Sequence, residues 1–243
     1  MKGLSFAGVF ALAVVWVLLS AVPEKPPAEY KDSGAFTGGT STAGTVVTGV
    51  RFGAYPDYKR MVLDLDQVDG SGSRIPAAAH PVYKIEYFKY PYRLVVTLAG
   101  TRFDENANVQ RDSALPFSVI TSLDGSIKQM QIFLPRPSLF KVIEIDDPAK
   151  ICIDVKPRGE AAVPSVYTVQ LTGPKTAADA FALAEQGKFP EGFTPSVIVL
   201  GSTVVVEQVF NDAVEAAEMD AALREMGYAT VINERRGYEL PQG

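Results

Sequence analysis

The apolar positions of this chain change period along its length. An unbroken run opens it, alternation fills the middle, and alternation interrupted by helical spacing fills the last third. That last third is written twice. Val166 to Leu200 reads YTVQL, then TAADAFALAEQ, then GFTPSVIVL, and Thr203 to Ile232 reads TVVVEQ, then NDAVEAAEMDAALREM, then GYATVI. In each pass an Ala-rich stretch with apolar residues at helical spacing (Ala177, Ala180, Phe181 and Ala184; Ala216, Met219, Leu223 and Met226) lies between β-branched runs. Thr176, with Asp179 three residues on, predicts the first helix start and Asn211 the second, while Gly187 and Gly227 predict the ends. Two such units share one four-stranded antiparallel sheet with both helices on one face, a split βαβ arrangement. The other face is then open.

Residues 45–158 carry no helical period and read as short alternating strands with turn signals, the pattern of an all-β sandwich. The expected strands are VVTGVRFG, KRMVLDLD, VYKIEYF, RLVVTLAG, FSVITSL, IKQMQIFL, LFKVIEI and AKICIDV. A weaker internal repeat runs through them. KRMVLDLD followed by KIEYFKYPYRLVVTL matches KQMQIFLP followed by KVIEIDDPAKICIDV, with Pro91 and Pro148 at corresponding places. The insertion QVDGSGSRIPAAAHP reads as a surface loop.

Lys2 precedes an uncharged run from Leu4 to Val22, long enough to cross a bilayer as a helix. Residues 1–22 therefore read as an export signal. An uncleaved anchor in the cytoplasmic membrane is the favoured form, and cleavage after Ala21 the alternative. Residues 23–44, Pro-rich and then Gly/Thr/Ser-rich, read as a flexible stalk. The expected chain is α+β overall: a membrane helix, a linker over 23–44, an all-β domain over 45–158 and the split βαβ unit over 165–236.

Charge narrows the chemistry. A net charge of −5 and a pI of about 5.0 argue against a nucleic-acid partner, as does the absence of basic or aromatic residues from TVVVEQ. Cys152 alternates with apolar residues and reads as a small buried hydrophobe, and His80, beside Pro81, as a loop residue. A lone cysteine and a lone histidine far apart offer no metal or thiol site, and no cofactor is implied. Asp64 with Asp66, and Glu144 with Asp146 and Asp147, are the carboxylate groups a hydrolase could use, but strand-edge acids more often protect the edge. No catalytic residues are assigned. Among the aromatics Tyr83, Tyr87, Phe88, Tyr90 and Tyr92, the pair Tyr90 and Tyr92 flanks a turn proline and is the candidate for stacking on a sugar. On the C-terminal sheet Val169, Val204 and Val206 face the helices, which turns Thr168, Gln170, Thr203 and Glu207 to the open face, with Ser196 beside them. Their amide and hydroxyl groups can hydrogen-bond sugar hydroxyls without a costly charge.

Tyr167-Thr168-Val169-Gln170, the Gly-aromatic pairs Gly192-Phe193 and Gly227-Tyr228, and Val204, Val206, Phe210, Ala216, Ala217 and Leu223 give Tyr167 to Ile232 a form that resembles the sporulation-related repeat (SPOR) domain. Thr172-Gly173-Pro174 and Glu207-Gln208-Val209-Phe210 stand where that family usually has Gly-Ser-Phe and Gly-Pro-Phe. The stretch Val46 to Val155, with RMVLDLD and YRLVVTLAG, resembles an AMIN domain. Both resemblances imply a non-catalytic protein outside the cytoplasm that binds peptidoglycan, in the SPOR case glycan strands stripped of stem peptides. Division and sporulation are the processes they suggest. The alternative is a protein-interaction scaffold of an envelope assembly (division, sporulation or pilus machinery) with other envelope proteins as partners.

Overall fold

The computed structural model describes residues 29–41, 44–122, 125–159 and 162–241. Its first two sheets face one another. One has the order β10 (Ser138–Asp146), β11 (Ala149–Pro157), β3 (Lys59–Val68), β2 (Thr45–Ala54), β7 (Thr101–Val109), with the short β4 (Arg74–Pro76) also paired to β3. The other has the order β1 (Ala35–Gly38), β5 (Tyr83–Phe88), β6 (Arg93–Leu98), β9 (Ile127–Phe133), β8 (Phe117–Thr121). Alternate residues of both sheets meet in one buried core that includes Met61, Leu63, Ile85, Leu94, Met130, Ile132, Phe140 and Ile151. This is how two half-apolar sheets remove their inner faces from water.

The internal repeat has a topological meaning. In the first half β2–β3 stays in one sheet while the hairpin β5–β6 crosses to the other; in the second, β8–β9 and β10–β11 do the same in the opposite sense. Each sheet therefore holds four strands drawn from both halves, and Pro91 and Pro148 close equivalent hairpins, both after cis peptide bonds.

The third sheet has the order β13 (Ser196–Leu200), β14 (Thr203–Phe210), β12 (Ser165–Leu171), β15 (Thr230–Arg236), all antiparallel. Helices α1 (Ala177–Gln186) and α2 (Ala213–Glu225) cover one face, where Ala180, Phe181, Ala216 and Leu223 pack on Val169, Leu171, Val197 and Val206. Thr176 Oγ1 accepts from the Asp179 N–H at 3.1 Å and caps α1.

Several expectations are corrected. The α+β class does not hold: 53% of the described residues are in strands, arranged in three sheets, and only two helices are found among those residues. The expected membrane helix over 4–22 lies outside the described residues, and among those residues no helix is long and apolar enough to cross a membrane. The described part of the 23–44 stalk is not a free linker. Lys31 forms a two-way backbone bridge with Phe140 (2.8 and 2.7 Å), and Ala35–Gly38 is β1, with Phe36 buried in the core. A Gly/Thr/Ser-rich composition hid a strand that one buried aromatic anchors. β7 was also unpredicted. It pairs parallel with β2, and its polar sequence TRFDENANV suits an edge strand with one wet face. The cap of α2 is Asp212, not Asn211: its Oδ1 accepts from the Val214 and Glu215 N–H groups at 2.7 and 3.2 Å.

Candidate functional site

The centre of the third sheet's face opposite the helices is covered. It rests on the outer face of the β1-β5-β6-β9-β8 sheet. Phe133 packs against Ile198 and Val205, with Leu200 at the margin. The edge of β13 is closed by side chains that imitate a strand. Gln131 Nε2 donates to the Val197 carbonyl (2.8 Å), its Oε1 accepts from the Val199 N–H (2.9 Å), and Ser118 Oγ donates to the Val199 carbonyl (2.5 Å). Gln131 and Ser118 are cross-strand partners in β8–β9, so one face of that hairpin serves the edge.

A buried charge cluster lies in this contact. Glu207 is 1% exposed and accepts both terminal nitrogens of Arg235, Nη1 at 2.8 Å. Arg235 Nη2 also reaches the Tyr90 carbonyl at 3.4 Å. Arg93, 2% exposed, donates to Ser196 Oγ and to the Pro91 carbonyl, and lies 4.7 Å from the Phe88 ring centroid. Burial lowers the Arg93 guanidinium to about 10; Glu207 favours its charged form and Arg235 opposes it. Two cations thus share one carboxylate. Arg93 Nε, Arg235 Nε and Thr168 Oγ1 are buried without a hydrogen-bond partner among the described residues.

The predicted glycan residues divide accordingly. Alternation does place Thr168, Ser196, Thr203, Glu207 and Gln170 on the face away from the helices. Thr168 and Glu207 are buried, and Ser196 is held by Arg93. Gln170, half-buried, accepts from Asn233 Nδ2 at 3.3 Å, and Thr203 sits at the β13–β14 turn. Expecting this face to be open was wrong for its centre, because the outer surface of the β-sandwich brings Phe133 and Arg93 against it. Tyr90 and Tyr92 are not a sugar platform either. Tyr92 is buried in the sandwich core and its phenol is held up at about 12 by that burial, while Tyr90 packs 5.5 Å from it and against Gly237.

Other candidates are structural. Cys152 is buried and its thiol is pushed up by burial. His80 is also buried, a departure from a surface loop: its Nε2 lies 3.0 and 3.2 Å from the carbonyls of Ile145 and Lys150. Asp64 pairs with Arg51 at 2.5 Å, and Glu144 accepts from Tyr83 Oη and the Gly39 N–H at 2.9 and 3.1 Å. Among the described residues no cluster of His, Cys, Asp and Glu could hold a metal ion.

An exposed aromatic site exists elsewhere, at one end of the sandwich. The β2–β3 turn is Tyr55-Pro56-Asp57-Tyr58, closed by the Tyr55 N–H donating to the Tyr58 carbonyl at 2.9 Å. Its two rings stack, 4.5 Å between centroids and 9° between planes, and Tyr55 is 45% exposed. Arg60, fixed on Asp154 by bonds of 2.5 and 2.8 Å, stands 5.5 and 5.6 Å from the two rings. These cation–aromatic contacts stiffen the turn. Beside it lies a groove of about 330 Å3, floored by Leu115 and Val155 and walled on the far side by Pro135 and Arg136. Lys59 binds both oxygens of Asp112 at its rim, at 2.8 and 2.6 Å. Asp57 and Arg136 are exposed, and their side chains have no hydrogen-bond or ion-pair partner among the described residues. Sequence reading passed over this turn, although Tyr-Pro-Asp-Tyr between two alternating runs signals a hairpin tip with an aromatic at each end.

The Lys59 ammonium, with burial opposing it, holds the Asp112 carboxyl below its usual range. A carboxylate depressed in the folded state contributes stability above its unfolded value of about 3.9 and loses it as pH falls through the folded value. The expected result is an acid-side decline in stability below about pH 4, which Asp112→Asn reduces. Urea midpoints between pH 2 and 7 check this.

Comparison with protein-family models, with curated proteins and with solved structures finds no match to this chain.

Proposed function

We propose that this is a non-enzymatic, exported cell-envelope protein that binds peptidoglycan glycan strands, and that the groove beside the Tyr55–Tyr58 turn is where it does so. One observation carries the reading: a rigid, exposed tyrosine stack flanks an apolar groove with unpaired polar groups at its rim. A sugar ring offers a C–H face to an aromatic ring and hydroxyls to charged or amide groups, so this combination suits it. The uncharged run over 4–22 supports export, and the resemblances of residues 46–155 and 167–232 support the envelope. The site binds without cleaving. A glycosidase needs two carboxyl groups flanking the scissile bond, and Asp57 is the one carboxylate among the residues lining the groove.

The test is co-sedimentation of the full chain with purified peptidoglycan. Retention is expected, and Tyr55→Ala should weaken it about tenfold or more, the scale of losing an aromatic anchor. Equal retention of the variant would overturn the assignment to this groove. The second reading, an interaction scaffold, draws on the same apolar floor, since aromatic grooves also dock proline-rich peptides. It predicts that such a peptide, and not a glycan, competes at Tyr55.

A further inference from the structure

The strand β15 is the free edge of the third sheet. The Thr172 N–H donates to the Ala229 carbonyl (2.9 Å) and the Gly237 N–H to the Pro164 carbonyl (3.0 Å). Odd-numbered residues therefore turn their backbone groups toward β12, and even-numbered residues turn theirs outward. The two ends of this edge are capped. Arg224 Nη2 donates to the Thr230 carbonyl at 2.7 Å. Glu239 closes Arg236 from both sides, its Oε2 accepting the Arg236 N–H and its N–H donating to the Arg236 carbonyl, each at 2.9 Å. Between the caps, Ile232 and Glu234 present N–H and C=O groups with no partner among the described residues.

We propose that this window takes an extended, basic segment of a partner protein as an added strand. Free edges are normally guarded along their length, and here the guards stop at the ends. Val231 and Ile232, 43% and 39% exposed, point to opposite faces and give apolar cross-strand contacts on both. The Glu234 carboxylate has no partner among the described residues and borders a cleft of about 560 Å3 between β15 and the tail at Tyr238 to Pro241. Charge selects the occupant. From 162 to 241, eleven Asp and Glu face five Lys and Arg, a net −6 against −5 for the whole chain. Arg236, the opposing charge, lies at the capped end. A second copy would bring two such acidic units together, and a lysine or arginine opposite Glu234 would relieve it.

The experiment titrates the full chain with a five-residue peptide alternating valine and lysine, and with its valine–glutamate counterpart, following amide hydrogen exchange over 228–236 and mass by light scattering. The lysine peptide is expected to slow exchange at Ile232 and Glu234, and the glutamate peptide to leave it unchanged. Ile232→Pro removes an outward N–H while leaving the β12 bonds in place, and it should abolish the protection. Should that variant fail to fold, Glu234→Lys should reverse the preference toward the glutamate peptide. Absence of protection, equal protection by both peptides, an unreversed preference in Glu234→Lys, or self-association without peptide would each overturn the proposal.

Discussion

Glu207→Gln is expected to destabilise the full chain by about 3–5 kcal/mol, the cost of leaving a buried ion without its partner. Glu207 is the carboxylate that answers both Arg235 and Arg93, and all three are at least nine-tenths buried. A glutamine keeps the shape and one acceptor oxygen but leaves two guanidiniums uncompensated away from water. Urea unfolding at neutral pH measures the loss. The double variant Glu207→Leu with Arg235→Met should lie much nearer the parent, because replacing both partners removes the desolvation cost along with the attraction. A loss under about 1 kcal/mol in the single variant, the range of an exposed pair, would mean that water reaches the cluster.

Phe133→Ala is the second large effect, expected at about 3–5 kcal/mol for deleting a buried phenylalanine. Its place makes it more than a core substitution. Phe133 is a β9 residue of the sandwich, yet it clusters with Ile198 and Val205 of the C-terminal sheet. Losing it should uncouple the two units, so that one unfolding transition becomes two. Exchange at the Val199 amide, held by Gln131, should rise at the same time. One transition with an unchanged Val199 would show that the contact does not depend on this ring.

Much of this was legible locally and little of it at a distance. Thr176 and Asp179 announce a helix start because a cap is a contact between near neighbours. Alternation in YTVQL and TVVVEQ assigns Thr168 and Glu207 to the face away from the helices, since period two is a property of the strand itself. Whether that face meets water is decided by Phe133, Gln131 and Arg93, which lie far off in the chain and carry no local mark of their partners. An alternating strand with polar outward residues reads the same whether water or another domain lies beyond it. The same limit hid β1, whose composition suits a linker until Phe36 finds the core, and kept the Tyr55–Tyr58 turn from standing out above the larger aromatic run at Tyr83 to Tyr92.

The covered sheet face and the exposed tyrosine groove make opposing claims on a glycan, and one titration separates them. Soluble glycan chains lacking stem peptides are added to the full chain, to Tyr55→Ala, and to a variant carrying Gln170→Ala and Thr203→Ala, with heats of binding recorded by calorimetry. Binding in the parent and in the sheet-face variant, weakened about tenfold in Tyr55→Ala, is the predicted result. Binding that survives in Tyr55→Ala and fails in the sheet-face variant would contradict it.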